Sequence, residues 1–306
     1  MCAMRLLAAV LVVQLLLAGT LVALVATDNV PFVSSASLEG GDADAATTVP
    51  SARTSAFDGT AAYASVRRQV ALGPRPAGSA ASRRLAERLR RTLPRGSFQA
   101  VPGGLRNVVG VVPGRDPRRV VVVGAHYDTK DIPGFVGAND GAGGIAVLTG
   151  LAHTLRPRQL RSTAVFIAFD GEESPAGTPD AAFEDAGLRG SKVAARRYAG
   201  AKAMILLDFV GQRGLRLRRE QGSDEALWNR LRAAGRRAGV GQVFPADTQG
   251  TVSDDHTPFV ARGVPAIDLI DFDYPCWHQR CDDLSQISAR SLDATGETLR
   301  ELLPTL

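Results

Sequence analysis

The sequence predicts an α/β fold: a three-layer α/β/α domain with a mixed, mostly parallel central sheet. Two observations predict it. Short apolar, β-branched runs of strand length alternate with segments of helical periodicity, the pattern of a sheet covered by helices on both faces. Most of the chemically interesting histidines and carboxylates fall just past the end of one of those runs, where open α/β sheets bind ligands.

The elements follow in order. Leu6 to Ala26 is almost wholly apolar, broken mildly by Gln14, Gly19 and Thr20, and is about long enough to cross a bilayer as a helix. Arg5 precedes it, and Asp28, Glu39, Asp42 and Asp44 follow. Positive-inside bias then places the N-terminus in the cytoplasm and the rest of the chain outside. The competing reading is a cleaved signal peptide and a secreted protein. The small-x-small pattern before Ala26 fails at Leu24, so residues 1–26 are read as a membrane anchor first and a signal segment second. Residues 27–55, rich in Ala, Ser, Thr and Asp, read as a flexible linker. Residues 56–306 are enough for one large catalytic domain.

Within that domain, Leu85, Leu89 and Leu93 mark a helix over 81–93. Asn107–Val112 and Val120–Val123 are β-branched runs bounded by Gly and Pro and read as strands. Ile145, Leu148, Leu151, Ala152 and Leu155 make one helix face. Thr163–Phe169, Ala203–Leu207 and Ala266–Ile270 read as further strands. Leu227, Leu231 and Ala234 mark another helix, and Leu292, Leu299, Leu302 and Leu303 a last one.

Composition narrows the function. Hydrophobic residues make up 45% of the 306 and charged residues 22%, with a formal charge of +5, which is ordinary globular composition. The basic pairs Arg83-Arg84, Arg90-Arg91 and Arg236-Arg237 read as solvated faces, and no basic–aromatic patch accompanies them, so no nucleic-acid partner is expected. Cys276 and Cys281 are five apart in a loop and are expected to bridge in an oxidising compartment. Cys2 falls on the cytoplasmic side of the anchor.

The strand-end residues form a chemical set. His126 and Asp128 follow one strand, Glu172 and Glu173 a second, Asp208 a third, and His278 lies in the loop after a fourth. Two imidazoles with several carboxylates suit zinc better than magnesium or calcium. A two-metal site needs a carboxylate that bridges two ions. Asp140, in a glycine-flanked turn before the Ile145 helix, is the candidate. In the pair Glu172-Glu173, one carboxylate can ligate while the other serves as proton shuttle.

Six strings carry a family resemblance: HYDTK (126–130), GANDGAGG (137–144), FDGEES (169–174), LLDFVG (206–211), SDDHTPFVARGVP (253–265) and CWHQ (276–279). In this order they resemble the co-catalytic zinc exopeptidases, the family of bacterial leucyl aminopeptidase, which also holds the animal-type glutaminyl-peptide cyclotransferases. The resemblance implies that His126 and Asp208 hold one Zn2+, that Glu173 and His278 hold another, and that Asp140 bridges them. It makes Asp128 the partner that orients His126 and Glu172 the general base. Lys130, Asp254, Asp255, His256 and Trp277 are its candidate substrate-binding residues, and peptides with a free N-terminus its implied partners.

Two reactions remain open. An aminopeptidase would hydrolyse the first peptide bond with a metal-activated water and two zinc ions. A cyclotransferase would close an N-terminal glutamine to pyroglutamate, release ammonia, and need one ion. HYDTK, the doubled Asp254-Asp255 and Trp277 look like the cyclases; GANDGAGG looks like the aminopeptidases. The cyclases also place a pocket tryptophan shortly after the paired glutamates, whereas Ser174-Pro175-Ala176-Gly177-Thr178 holds no aromatic residue. The sequence therefore favours the aminopeptidase, with the cyclase as alternative. An inactive binding ectodomain is a third reading, disfavoured because every ligand and the base are present.

Overall fold

The computed structural model describes residues 48–157 and 159–306. The anchor or signal segment 1–26 and most of the 27–55 linker lie outside the described residues. Among the described residues no helix is long and apolar enough to cross a membrane.

Helix α1 (Gly59–Val70) opens the domain, capped by the Asp58 carboxylate, which accepts from the Ala61 N–H. Helix α2 (Ala80–Thr92) follows, capped by Ser79. Strands β1 (Ser97–Val101), β2 (Leu105–Val112) and β3 (Asp116–His126) lead to α3 (Ala142–Thr154) and β4 (Ser162–Phe169). The short helix α4 (Phe183–Ala186), α5 (Arg189–Arg197) and β5 (Ala203–Leu207) come next. Then β6 (Arg219–Glu220), α6 (Glu225–Ala238), β7 (Thr248–Gln249), the one-turn α7 (Thr257–Val260), β8 (Ala266–Leu269) and α8 (Ala289–Leu302) complete the chain.

The main sheet has the order β1-β2-β4-β3-β5-β8. Its β1–β2 and β2–β4 pairs are antiparallel, and β4–β3, β3–β5 and β5–β8 are parallel. Strands β4, β5 and β8 are buried along their whole length, as parallel strands covered on both faces must be. One face carries the larger core, packed by Val66, Leu85, Ile145, Leu148, Leu231 and Leu299 from five helices. The other carries a smaller core, where Ala194 of α5 and Phe259 of α7 meet Val122, Ile167 and Met204. The expected three-layer α/β/α domain with a mixed, mostly parallel sheet is therefore what forms. Helices α1 and α5 and edge strand β1 were not anticipated. The buried faces of α1 and α5 are made of small residues and Gln69, with a single valine, Val66, rather than a stripe of large apolar side chains, so neither stands out in the sequence.

The body begins earlier than residue 56. Val49 is buried in the larger core, and the Arg53 N–H donates to Ala238 O at 2.8 Å. The fully buried Glu297 accepts from Thr54 Oγ1 and from the Phe57 N–H, both at 2.7 Å. Residues 48–55 are thus tied to the domain through Val49, Arg53 and Thr54, with most of their other side chains exposed; a burial signal as brief as one valine does not stand out in an Ala/Ser/Thr-rich stretch.

Candidate metal centre and active site

Strand register brings the site together. His126, the last residue of β3, sits opposite Phe169, the last of β4, so Asp170 to Glu173 leave the sheet beside it. Leu207 ends β5 opposite Leu269 of β8, and Asp208 follows. The carboxyl ends of four neighbouring strands thus share one edge of the sheet.

Asp140 arrives at that edge from a clamped loop. The guanidinium of Arg75, with no exposed surface, donates to the carbonyls of Val136 (2.7 Å) and Gly137 (3.1 Å). From the other side Asp282 accepts the N–H groups of Asn139 (2.8 Å) and Asp140 (3.1 Å). Gly141 has φ +86°, and a Cβ there would lie 2.9 Å from Asp128 O and 3.2 Å from the His126 ring. Only glycine lets α3 start this close to the strand end.

Two donor clusters result, each within 4.8 Å overall: His126, Asp140 and Asp208, and Asp140, Glu173 and His278. His126 Nε2 lies 3.3 Å from Asp140 Oδ1 and 3.4 Å from Asp208 Oδ1. His278 Nε2 lies 3.6 Å from Asp140 Oδ2 and 3.2 Å from Glu173 Oε1. A tetrahedral zinc with bonds of about 2.0–2.1 Å separates its donors by roughly 3.3 Å, so both clusters fit such an ion. Asp140 sends one oxygen to each cluster, the arrangement of a bridge. Asp140 Oδ2 and Glu173 Oε1 are buried with no hydrogen-bond partner, a situation that a cation relieves. The five residues proposed as ligands from the sequence are the five that converge.

The paired glutamates have opposite electrostatics. Burial, reinforced by the neighbouring Glu173, pushes the Glu172 carboxyl well above the usual range, though His126 opposes it. Burial also acts on Glu173, but His278 and Lys130 outweigh it and hold that carboxyl below the usual range. Two carboxyl groups pushed apart in this way take different jobs, one a proton carrier and one a permanent anion. Asp128 sits under both: it accepts from the N–H groups of Glu172 (3.3 Å) and Glu173 (3.2 Å). Its Oδ1 is 3.8 Å from His126 Nδ1, too far for a hydrogen bond. Asp128 thus orients the glutamate pair directly and reaches His126 as a nearby charge.

A cavity of about 290 Å³ opens over the centre, walled by Lys130, Phe183, Phe209, Phe272 and Trp277. The Trp277 ring stacks on His278 with centroids 4.5 Å apart and planes 25° apart, and Phe272 leans on Trp277 at 5.1 Å. His278 has φ +51°, and the Cys276–Cys281 disulfide closes the loop around it, as the spacing led one to expect. Burying an imidazole ligand on a left-handed residue needs such a brace.

Of the candidate substrate-binding residues, Lys130, Asp254 and Trp277 line the cavity. Asp255 and His256 do not: both are buried behind it where α7 begins, with His256 Nε2 3.4 Å from Glu220 and its Nδ1 3.7 Å from Asp268. The chain turns inward at Asp255 to start that helix, which takes both side chains away from the pocket. Sequence reasoning missed Phe183, Arg75 and Asp282. Phe183 lies ten residues beyond Glu173, and α4 folds its ring back over the pocket, where Lys130 Nζ sits 5.9 Å from the ring centroid.

The fold and the two bridged donor clusters define a zinc exopeptidase-like enzyme class. The model of peptidase family M28 matches residues 107–303, and the chain belongs to that family. A glutaminyl-peptide cyclotransferase of Drosophila melanogaster is 28% identical over 219 residues, covering 60% of this chain and 60% of that protein; the chain thus spans three fifths of that relative's length. A solved glutaminyl cyclase from Porphyromonas gingivalis has 30% identity and a TM-score of 0.71, over 83% of this chain and all of the other. A leucine aminopeptidase precursor from Bacteroides thetaiotaomicron has 26% identity and a TM-score of 0.73, over 84% and 99%.

Proposed function

We propose that this protein is a glutaminyl-peptide cyclotransferase, which inverts the order in which the sequence ranked the two reactions. The observation that carries this reading is the predominance of cyclase names among the proteins and structures it matches. The reading is supported by Phe183, which gives the cavity an aromatic wall after the paired glutamates, although from a different position than the missing tryptophan.

In this reading the γ-amide of an N-terminal glutamine enters the cavity, with its flat group against Phe183 and Trp277. Asp140, Glu173 and His278 would hold a zinc ion, which when bound would supply Lewis-acid polarisation of the γ-carbonyl. The substrate's own α-amine attacks the γ-carbonyl carbon. Glu172 takes a proton from that amine and returns one to the departing amide nitrogen. A C–N bond forms to close the lactam, the C–N bond of the amide breaks, and ammonia leaves; no water is consumed.

Hydrolysis of N-terminal residues is the second reading, supported by the leucine aminopeptidase precursor and by a Zn-dependent exopeptidase from Parabacteroides distasonis at 27% identity. Zinc-loaded protein incubated with a Gln-initiated peptide and with a leucyl chromogenic amide separates the two. Mass spectrometry should record ammonia loss from the peptide and no cleavage of the amide. Water addition to either substrate, without ammonia loss, would transfer the assignment to the peptidase. Because the site loop carries a disulfide, we also propose an extracytoplasmic location, testable by accessibility of the tagged domain in intact cells.

A further inference from the structure

Arg189 lies outside the motifs read from the sequence, on the first turn of α5. Its guanidinium reaches back to the loop of the paired glutamates. Nη2 donates to the Glu173 carbonyl at 2.8 Å, and Nε to the Gly171 carbonyl at 3.2 Å. The backbone adds to this hold: the Arg189 N–H donates to Gly171 O at 2.9 Å and the Leu188 N–H to Glu172 O at 2.8 Å. The three carbonyls from Gly171 to Glu173 thus end on Leu188 and Arg189, while the N–H groups of Glu172 and Glu173 end on Asp128.

The chain is bent to allow this contact. Leu188 has φ +54°, a left-handed value that costs a leucine energy and persists only where the surroundings enforce it. Gly171 has φ +72°, and a Cβ there would lie 2.8 Å from Arg189 Nε. A segment bonded on its carbonyl side and on its N–H side has little freedom to rotate its peptide planes. That keeps Glu173 on the donor cluster and Glu172 on the cavity wall. A shift of about 1 Å in a reacting group can cost roughly a hundredfold in rate.

We infer that Arg189 positions the general base, locking the peptide planes around Glu172 so that its carboxylate meets the proton it must carry. Its bonds to the loop go to backbone carbonyls, so it acts through Glu172 and is a positioning residue. The inference rests on Glu172 as proton carrier but not on the choice between cyclase and peptidase.

The test is a double-mutant cycle on the zinc-loaded protein: wild type, Arg189→Ala, Glu172→Gln and the two combined, assayed on whichever of the two substrates the wild type consumes. Arg189→Ala should lose about 10–100-fold in kcat, with KM changed less than about threefold and zinc content unchanged. In the Glu172→Gln background the same substitution should cost nothing further, because its effect runs through the base. Arg189→Lys keeps the charge but has one donor head for two carbonyls; its kcat should fall between the wild type and Arg189→Ala, and the same cycle is run with it if Arg189→Ala does not fold. Amide hydrogen exchange gives a readout apart from activity. In the metal-stripped protein, exchange over residues 170–174 should quicken roughly tenfold in Arg189→Ala, with β4 and α5 unchanged. Wild-type kcat in a folded variant, an additive loss in the combined variant, or unchanged exchange at 170–174 would overturn the inference. So would faster exchange across the whole domain, which marks a part in folding instead. A wild type that consumes neither substrate would remove the proposed function, and the exchange result would then decide the inference alone.

Discussion

Asp282 accepts the backbone N–H of Asp140 at 3.1 Å across 142 residues of chain. Through its other oxygen it accepts from Asn139 N–H and from Tyr274 Oη, each at 2.8 Å. It lies next to Cys281, so one carboxylate ties the loop bearing the bridging ligand to the loop bearing His278.

Asp282→Asn should therefore loosen the metal without touching it. An amide keeps one acceptor and turns its NH2 toward a backbone donor. Zinc affinity, measured by competition with a chromogenic chelator, should fall about 10–100-fold. Stability should drop by about 1–3 kcal/mol. Unchanged affinity would show that Asp140 is held by Arg75 alone.

Glu172→Gln should lower turnover about a hundred- to ten-thousandfold while leaving zinc in place. Joint loss of zinc and activity would mean that the roles of Glu172 and Glu173 are exchanged. The base works as a carboxylate, and burial beside Glu173 raises its pKa. Activity of the zinc-loaded enzyme should thus rise with pH through a limb on which Glu172 loses its proton, and fall as protons fill Glu172 below it. A pH–rate profile for kcat/KM places that limb; its persistence in Glu172→Gln counts against Glu172 as the base.

Phe183→Ala should raise KM for Gln-initiated peptides roughly three- to tenfold and change kcat little, because the ring offers contact rather than chemistry. A fall in kcat at constant KM would place the ring in the transition state instead.

Reduction of Cys276–Cys281 should release zinc faster, by roughly tenfold, since the freed loop must be reordered around a left-handed His278. The melting temperature of the metal-stripped domain should scarcely move, because the bridge closes only a short loop. Equal zinc release with and without reductant would remove the brace from the argument.

The sequence was most legible where strand ends coincide with ligands. The runs ending at Gly124, Phe169 and Leu207 lie in register on neighbouring strands, so His126, Glu173 and Asp208 were bound to meet once those runs formed parallel strands. The strand order was not legible: β4 lies inside β3 on the way to β2, a choice made by packing on both faces. Nor were Phe183, Arg75 and Asp282 legible. Each reaches the site in a way that no motif marks, as a ring folded back on a four-residue helix, a cation with no exposed surface, or a carboxylate bonded to backbone. Asp255 and His256 were misplaced for a related reason, since two adjacent polar residues in a motif give no sign of which way the chain turns.

Glu297 gives the N-terminal border of the domain a chemical meaning. A fragment beginning at residue 56 would keep the Phe57 N–H but strip the Thr54 hydroxyl from a carboxylate sealed inside the protein, and would leave a hole where Val49 had been. Such a fragment invites misfolding during purification for reasons unrelated to zinc or catalysis. The shortest dependable recombinant form starts ahead of Val49.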